Sequence, residues 1–210
     1  AATIIDAGAS ERPEVRVSRA AAGYRIEADG FGVIRETPNA VSGAEVIRAS
    51  DPNAAVFIWN EQGPTKEALT FYSISLDGKT VSPATQARYK ILLRYAEFDP
   101  LRSVPSVPEN LASRGGGGDD VYIVQFKTQA IDGYVRSLEN FGAKVYKYLP
   151  DYSYIVRMND DARGKISSLP FVRWIGKYEP AYKVDPEIIA SLARGAEKPE
   201  RYNIMMLERG

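Results

Sequence analysis

The stretch VYIVQFKTQAIDGYVRSLENFGAKVYKYLPDYSYIVRMNDDARGKISSLPFVRWIGKYEPAYK, residues 121–183, decides the fold, because its apolar period changes from two to about 3.6 and back, twice. Over 121–126, Val121 and Ile123 share one face of an expected strand, with Tyr122, Val124 and Phe126 on the other. From Ala130 to Phe141 a helix is expected, since Ile131, Val135 and Leu138 recur at helical spacing and Tyr134 and Phe141 widen the stripe. Gly142 follows where a helix end favours a residue that tolerates positive φ. Residues 145–149 predict a second strand, Pro150-Asp151 a turn, and the alternation of Tyr154, Val156 and Met158 a third strand antiparallel to it. Asn159 or Asp160 can cap a short helix through Ala162, Ile166 and Leu169 that stops before Pro170, and 172–178 returns as the fourth strand.

Right-handed crossovers in a βαββαβ order give an open, four-stranded antiparallel sheet with both helices on one face, a ferredoxin-like arrangement in the α+β class. Its second face is left without a cover. On strands two and four, Lys144, Tyr146 and Tyr148 with Val172, Trp174 and Tyr178 are expected to face outward, and the more aliphatic Val145, Leu149 and Ile175 to meet the helices.

Certain of these residues resemble a known family. Tyr122-Ile123-Val124-Gln125-Phe126-Lys127, then a helix and a strand, then Leu169-Pro170-Phe171-Val172-Arg173-Trp174-Ile175-Gly176 with Glu179 downstream, resemble the N-terminal inhibitor-type prodomain of subtilisin-like serine proteases. In that family the first strand commonly reads YIVxFK. Its fourth begins with proline, any residue, valine and, two residues further, an aliphatic, as Pro170, Val172 and Ile175 stand here. Phe98-Asp99-Pro100-Leu101, ahead of a proline-rich stretch, is similar to a box in larger secreted bacterial members. The resemblance implies a non-catalytic propeptide that acts as intramolecular chaperone and inhibitor, docking its open sheet face on a protease catalytic domain in cis or in trans. It assigns the contact to Tyr146, Tyr148, Trp174 and Tyr178, with Glu179 and Tyr182 near the protease's helix N-termini or active-site entrance. One departure stands out: simple prodomains end after the fourth strand in an extended tail, whereas this chain continues past Tyr182.

Composition narrows the chemistry. The chain has 210 residues, 44% of them hydrophobic, which suits two small domains. Lys plus Arg equals Asp plus Glu at 27 each, so no overall field draws it to nucleic acid or an anionic membrane. Without cysteine there is no disulfide or thiolate metal site. Without histidine there is no Ser-His-Asp or Cys-His arrangement, so no catalytic residue and no cofactor is assigned, and any protease domain lies elsewhere. No apolar run approaches the ~18 residues of a membrane-spanning helix. Ala1-Ala2-Thr3 lacks an initiator methionine, which suits signal-peptide removal or an engineered start; the former gives the expected secreted or extracellular location.

Outside 120–184 the chain reads as three further parts. Residues 1–97 form an expected β-rich domain, a small sandwich or barrel. Its alternation lies at Val15-Arg16-Val17, 24–27 and 70–76, the stretch 31–34 follows Gly30, a continuous apolar run lies at 55–59, and 88–95 is strand or helix. Asp77-Gly78 signals a hairpin leading to 79–81. Residues 98–119 read as a linker, extended by Pro100, Pro105 and Pro108 and loosened by the four glycines 115–118. Those glycines lack the lysine and Ser or Thr of a phosphate loop. In 185–210, Asp185 caps an expected helix with Pro186 at its first position and Ile188, Ile189 and Leu192 as its stripe. The strand expected at 202–207 completes a sheet already described or starts a further, truncated domain.

Two other readings of the polar and aromatic residues fit the sequence less well. Asp119-Asp120, Asp160-Asp161 and Asp185 with Glu187 fit turn and cap positions better than calcium ligands, because no alternating oxygen set with a glycine surrounds them, and no metal is assigned. Tyr146, Tyr148, Tyr152, Tyr154, Trp174, Tyr178 and Tyr182 lack the strand pattern of an RNA-recognition sheet, so a protein partner is preferred to nucleic acid. The alternative function is an extracellular structural module that self-assembles through its sheet edges.

Overall fold

The computed structural model describes residues 13–48, 51, 53–113 and 118–194. The chain divides into two compact units, Ala1–Ala87 and Arg88–Gly210. Among the described residues it is mixed but mostly sheet, with thirteen strands in four antiparallel sheets and three α-helices. Gly115 to Gly117 and the strand expected at 202–207 lie outside the described residues.

In the first unit, β1 (Val15–Ala20), β2 (Gly23–Ala28) and β3 (Gly32–Thr37) make one sheet. A second sheet holds β4 (Val41–Arg48), β5 (Ala55–Gln62), β6 (Ala68–Ser75) and β7 (Thr85–Gln86) in sequential order. Ile26 and Ala28 from the first sheet share a core with Ala55, Phe57 and Trp59 from the second, so the unit has two sheets around one core. β5 lies between β4 and β6, and a strand covered on both faces carries a continuous apolar run, here from Ala55 to Trp59. Glu61 on the same strand is only 1% exposed, and its partners are Arg35, Thr37, Asn39 and Trp59. β4 was not expected from the sequence. A bulge between Ser42 and Glu45, with Gly43 at φ 60°, breaks the alternation that would have announced it. The Asp77-Gly78 signal also resolves differently. The Asp77 carboxylate accepts from the backbone of Lys79 and Thr80, making a wider loop, and Ser82 bonds back to Ile74 before the strand β7 forms.

The second unit opens with a short pair, β8 (Ile91–Leu92) and β9 (Glu97–Phe98). There follow β10 (Asp120–Phe126), α1 (Asp132–Asn140), β11 (Lys144–Leu149), β12 (Ser153–Met158), α2 (Asp160–Ser167) and β13 (Val172–Lys177). The sheet order is β11-β12-β10-β13 with every pair antiparallel, so the returning β13 lies beside β10. α1 is followed just past its cap by Gly142, which holds φ 86°, and α2 begins where the Asn159 side chain accepts from the Ala162 amide at 2.9 Å. A 3-10 turn (Pro180–Lys183) leads to α3 (Pro186–Ala193), where Asp185 accepts from the Glu187 amide. The helix-side core is aromatic: Tyr134 of α1 stacks on Phe171 with ring centroids 3.9 Å apart, and Phe126 of β10 meets both edge-on.

Two expectations are corrected. Residues 88–113 are neither the end of the first domain nor a free linker. Ile91, Leu93, Tyr95, Phe98, Val107 and Leu111 pack in one cluster with Ile123, Leu149, Trp174, Ala181 and Tyr182. The prolines suggest a spacer, yet Phe98, Val107 and Leu111 around them are covered by the sheet face, while Leu101 and Val104 stay exposed. That face is therefore not open, and of 88–95 only Ile91–Leu92 is strand.

The second correction concerns facing. A bulge between Val145 and Lys147 shifts the register of β11 by one, and a shift of one reverses every later side chain. Tyr148 thus lies opposite Tyr154 on the helix side, and Leu149 joins the other face, the reverse of the sequence expectation. Val145 and Ile175 do lie opposite helix-side residues, Val156 and Val124.

Candidate partner-binding surface

The surface is the non-helix face of the β10–β13 sheet. Its centre is set by a second bulge: Gln125 pairs with Trp174 and Phe126 with Val172, which leaves Arg173 without an opposite residue. Arg173 and Trp174, though adjacent in sequence, then serve the same face. The Arg173 guanidinium donates to Gln125 Oε1 at 2.7 Å, ion-pairs with Asp99 at 2.8 Å, and lies 3.9 Å from the centroid of the Tyr89 ring. Gln125 is fully buried, and its amide donates to the carbonyls of Tyr89 and Asp151.

Trp174 lies flat across Gly176, where an added Cβ would come within 2.0 Å of the indole. Phe98 meets that indole edge-on at 6.5 Å, and Tyr182 packs against Phe98, Tyr95 and Tyr178. Burial raises the phenols of Tyr178 and Tyr182 above their ordinary value. Glu179 accepts from the Ser113 amide at 2.6 Å.

Of the six residues singled out in the sequence, Trp174, Tyr178, Glu179 and Tyr182 come together here, and Tyr182 is only 7% exposed. Tyr146 and Tyr148 do not join them. They stand on β11, at the opposite edge of the sheet and about 14 Å away across three strand spacings. Tyr146 sits in the β11 bulge with Lys144 5.5 Å from its ring centroid, and Tyr148 is 53% exposed. Sequence reasoning missed Tyr89, Asp99, Gln125 and Arg173 as a connected group. One signal was available: a glutamine inside YIVQF has to find hydrogen-bond partners once buried.

The acidic pairs along the chain are engaged elsewhere. Asp119 pairs with Arg157, Asp160 with Arg163, Asp161 with Lys165, and Asp185 caps α3. Among the described residues no group of three or more His, Cys, Asp or Glu side chains could hold a metal ion. Lys177 donates to Ser113 Oγ at 3.3 Å and to Asp120 at 2.7 Å, a serine–lysine pair on paper. The hydrogen bond to Asp120 raises the Lys177 ammonium, however, and a lysine acting as base needs the opposite shift. No described helix is long and apolar enough to cross a membrane.

Comparison with known proteins begins with a class of domain. Residues 92–179 match the family described as Domain of unknown function (DUF8729), a span that takes in residues 92–113 as well as the sheet. A particular relative is the serine protease/ABC transporter B family protein tagD of Dictyostelium discoideum, 32% identical over 76 residues. That alignment covers 30% of this chain and 4% of tagD, so the chain spans a small part of that protein's length. No solved structure matches.

Proposed function

We propose that the second unit is a ferredoxin-like, inhibitor-type prodomain of a secreted subtilisin-like serine protease precursor. It is non-catalytic and acts as chaperone and inhibitor by docking on the protease catalytic domain, in cis or in trans. One observation carries the reading. YIVQFK and LPFVRWIG, which resemble the prodomain pattern, stand on β10 and β13 or lead into them, and these strands pair antiparallel in the order β11-β12-β10-β13 with α1 and α2 in the crossovers. Distant similarity to a protein named a serine protease is in keeping with it.

Trp174, Tyr178, Glu179 and Tyr182 form the principal contact, and Tyr146 with Tyr148 a separate one on the β11 edge. The purified chain is tested against a panel of subtilisin-like proteases. Slow, tight inhibition by a monomer is expected, with Trp174→Ala weakening it by about 2 kcal/mol, as for a buried aromatic anchor. No inhibition of any panel member, by the parent or by variants with the face exposed, overturns the reading.

The covering of the second face by residues 91–111 favours a second reading, a structural module that assembles through its sheet edges. Light scattering on the same sample separates the two, since a large regular assembly without inhibition belongs to the second.

A further inference from the structure

Residues 88–113 have little order of their own. They contain one pair of two-residue strands and one 3-10 turn, Glu109–Leu111, and Ile91, Phe98, Val107 and Leu111 pack in one cluster with residues of the sheet and of the 180–183 turn. The contact they make is partly polar. Phe98 lies against Trp174 and Tyr182, but Asp99 pairs with Arg173, the Tyr89 carbonyl takes a bond from Gln125, the Lys90 amide donates to Asp151, and the Ser113 amide donates to Glu179. Side chains of Arg173 and Asp99 retain 11% and 20% exposure, so water already reaches the pair. An apolar face can be uncovered only at the full cost of hydrating it, whereas Arg173, Gln125 and Glu179 regain hydrogen bonds from water. Mixed composition of this kind marks interfaces that open and close.

We propose that residues 88–113 are an autoinhibitory cap, which competes with the protein partner for the sheet face it covers. The inference rests on the docking reading given above. A partner that displaces the cap supplies what the cap supplies: an apolar ring beside Trp174, as Phe98 does, and a carboxylate opposite Arg173, as Asp99 does.

The test uses the full chain and a Phe98→Ala/Asp99→Ala variant. Cap opening is read from acrylamide quenching and the emission maximum of tryptophan, since Trp59 stays buried in its own core and Trp174 reports the face. Partner binding is read from inhibition of the protease panel. The variant is expected to quench more readily, to inhibit at least tenfold more tightly than the parent, and to return to the parent's level when a peptide of residues 88–113 is added.

An open variant that inhibits only as well as an inhibiting parent overturns the cap while leaving the docking reading intact. An open variant that inhibits nothing, with a parent that inhibits nothing, overturns both. Unchanged quenching in a folded variant shows that the cap is not released by losing these anchors and overturns the inference. Asp99→Asn keeps the ring contacts and removes only the charge. It supplies the same comparison, with a smaller shift in the same direction, if the double variant does not fold.

Discussion

On the helix side of the β10–β13 sheet, Phe126, Tyr134 and Phe171 are 0–2% exposed and touch ring to ring, and burial pushes the Tyr134 phenol up to about 12. On the cap side, next to the cluster of Trp174, Ile123 and Phe98, the Arg173 guanidinium and the Gln125 amide bond to each other, to Asp99 and to the Tyr89 carbonyl. The same four strands thus hold two kinds of contact. The dry face fixes the fold through packing, and the mixed face selects what lies on it through matched charge and shape. Phe171→Ala should therefore be the most damaging single change, at about 3–5 kcal/mol, against about 1–2 kcal/mol for the half-buried Trp174→Ala. Urea unfolding followed by circular dichroism measures both. Equal losses would erase the distinction between the faces.

The first unit sharpens the comparison, because it too buries one charged group but satisfies it differently. Glu61 takes its hydrogen bonds from Arg35, Thr37, Asn39 and Trp59, all within its own two sheets or the turn between them, whereas Arg173 depends on Asp99 from the cap. Burial by itself opposes the Glu61 charge, but the bonds from Thr37, Asn39, Arg35 and Trp59 together outweigh it and hold the carboxyl below its ordinary value. A carboxyl depressed in the folded state contributes stability that is complete above the unfolded pKa, about 4.3, and is lost as pH falls toward the folded one. Glu61→Gln places an amide among donors and should cost about 2–3 kcal/mol at neutral pH. Urea midpoints between pH 3 and pH 7 should fall on the acid side in the parent and vary less in the variant. A parallel fall in both would remove Glu61 as the source.

Much of the second unit could be read from the sequence because its elements are short and strictly periodic. Ile131, Val135 and Leu138 locate α1, the pair Asn159 or Asp160 brackets the cap of α2, which is Asn159, and Pro170 locates the break before β13. Facing was legible only where the register is unbroken. The bulges at Tyr146 and Arg173 each add one residue, and nothing in the composition of KVYKYL or FVRWIG marks which residue is extra. The cap was hidden for another reason: prolines at 100, 105 and 108 look like a spacer, and the partner of Asp99 lies 74 residues away. Candidate residues on β13 and just beyond it come together as expected, while on β11 Tyr148 lies on the side opposite to the expected one.

A third change probes the cap face without touching its charges. Gly176 is the floor under the Trp174 indole, with ring atoms 2.0 Å and 2.1 Å from where a Cβ would stand. Gly176→Ala must push the indole off the strand and toward Phe98, and overpacking of this kind costs about 1–3 kcal/mol. The readout is local: tryptophan emission should move to the red while the helix-side core, followed by the near-ultraviolet signal of its stacked tyrosine, stays as it was. A change confined to global stability, with unshifted emission, would mean that the indole has room elsewhere and that the face is less tightly built than the distances suggest.

The smallest effects come from two glycines with open space around them, one just past α1 and one inside α2, and they separate backbone from packing. Gly142 holds φ 86° at the end of α1, and nothing lies within 4 Å of where its Cβ would be. Gly142→Ala therefore costs only the left-handed conformation, about 1 kcal/mol. Gly164 inside α2 is equally unobstructed but carries no positive φ, so Gly164→Ala should stabilise by about 0.4–1 kcal/mol through the unfolded chain. The two changes have opposite signs for the same added methyl group, and the double variant should unfold close to the parent's midpoint if the sites act independently. Neither should alter inhibition or tryptophan quenching, since both lie on the helix side. A loss in both single variants would instead mean that the helix layer is packed more closely there, and that the dry face extends further than the aromatic core that now defines it.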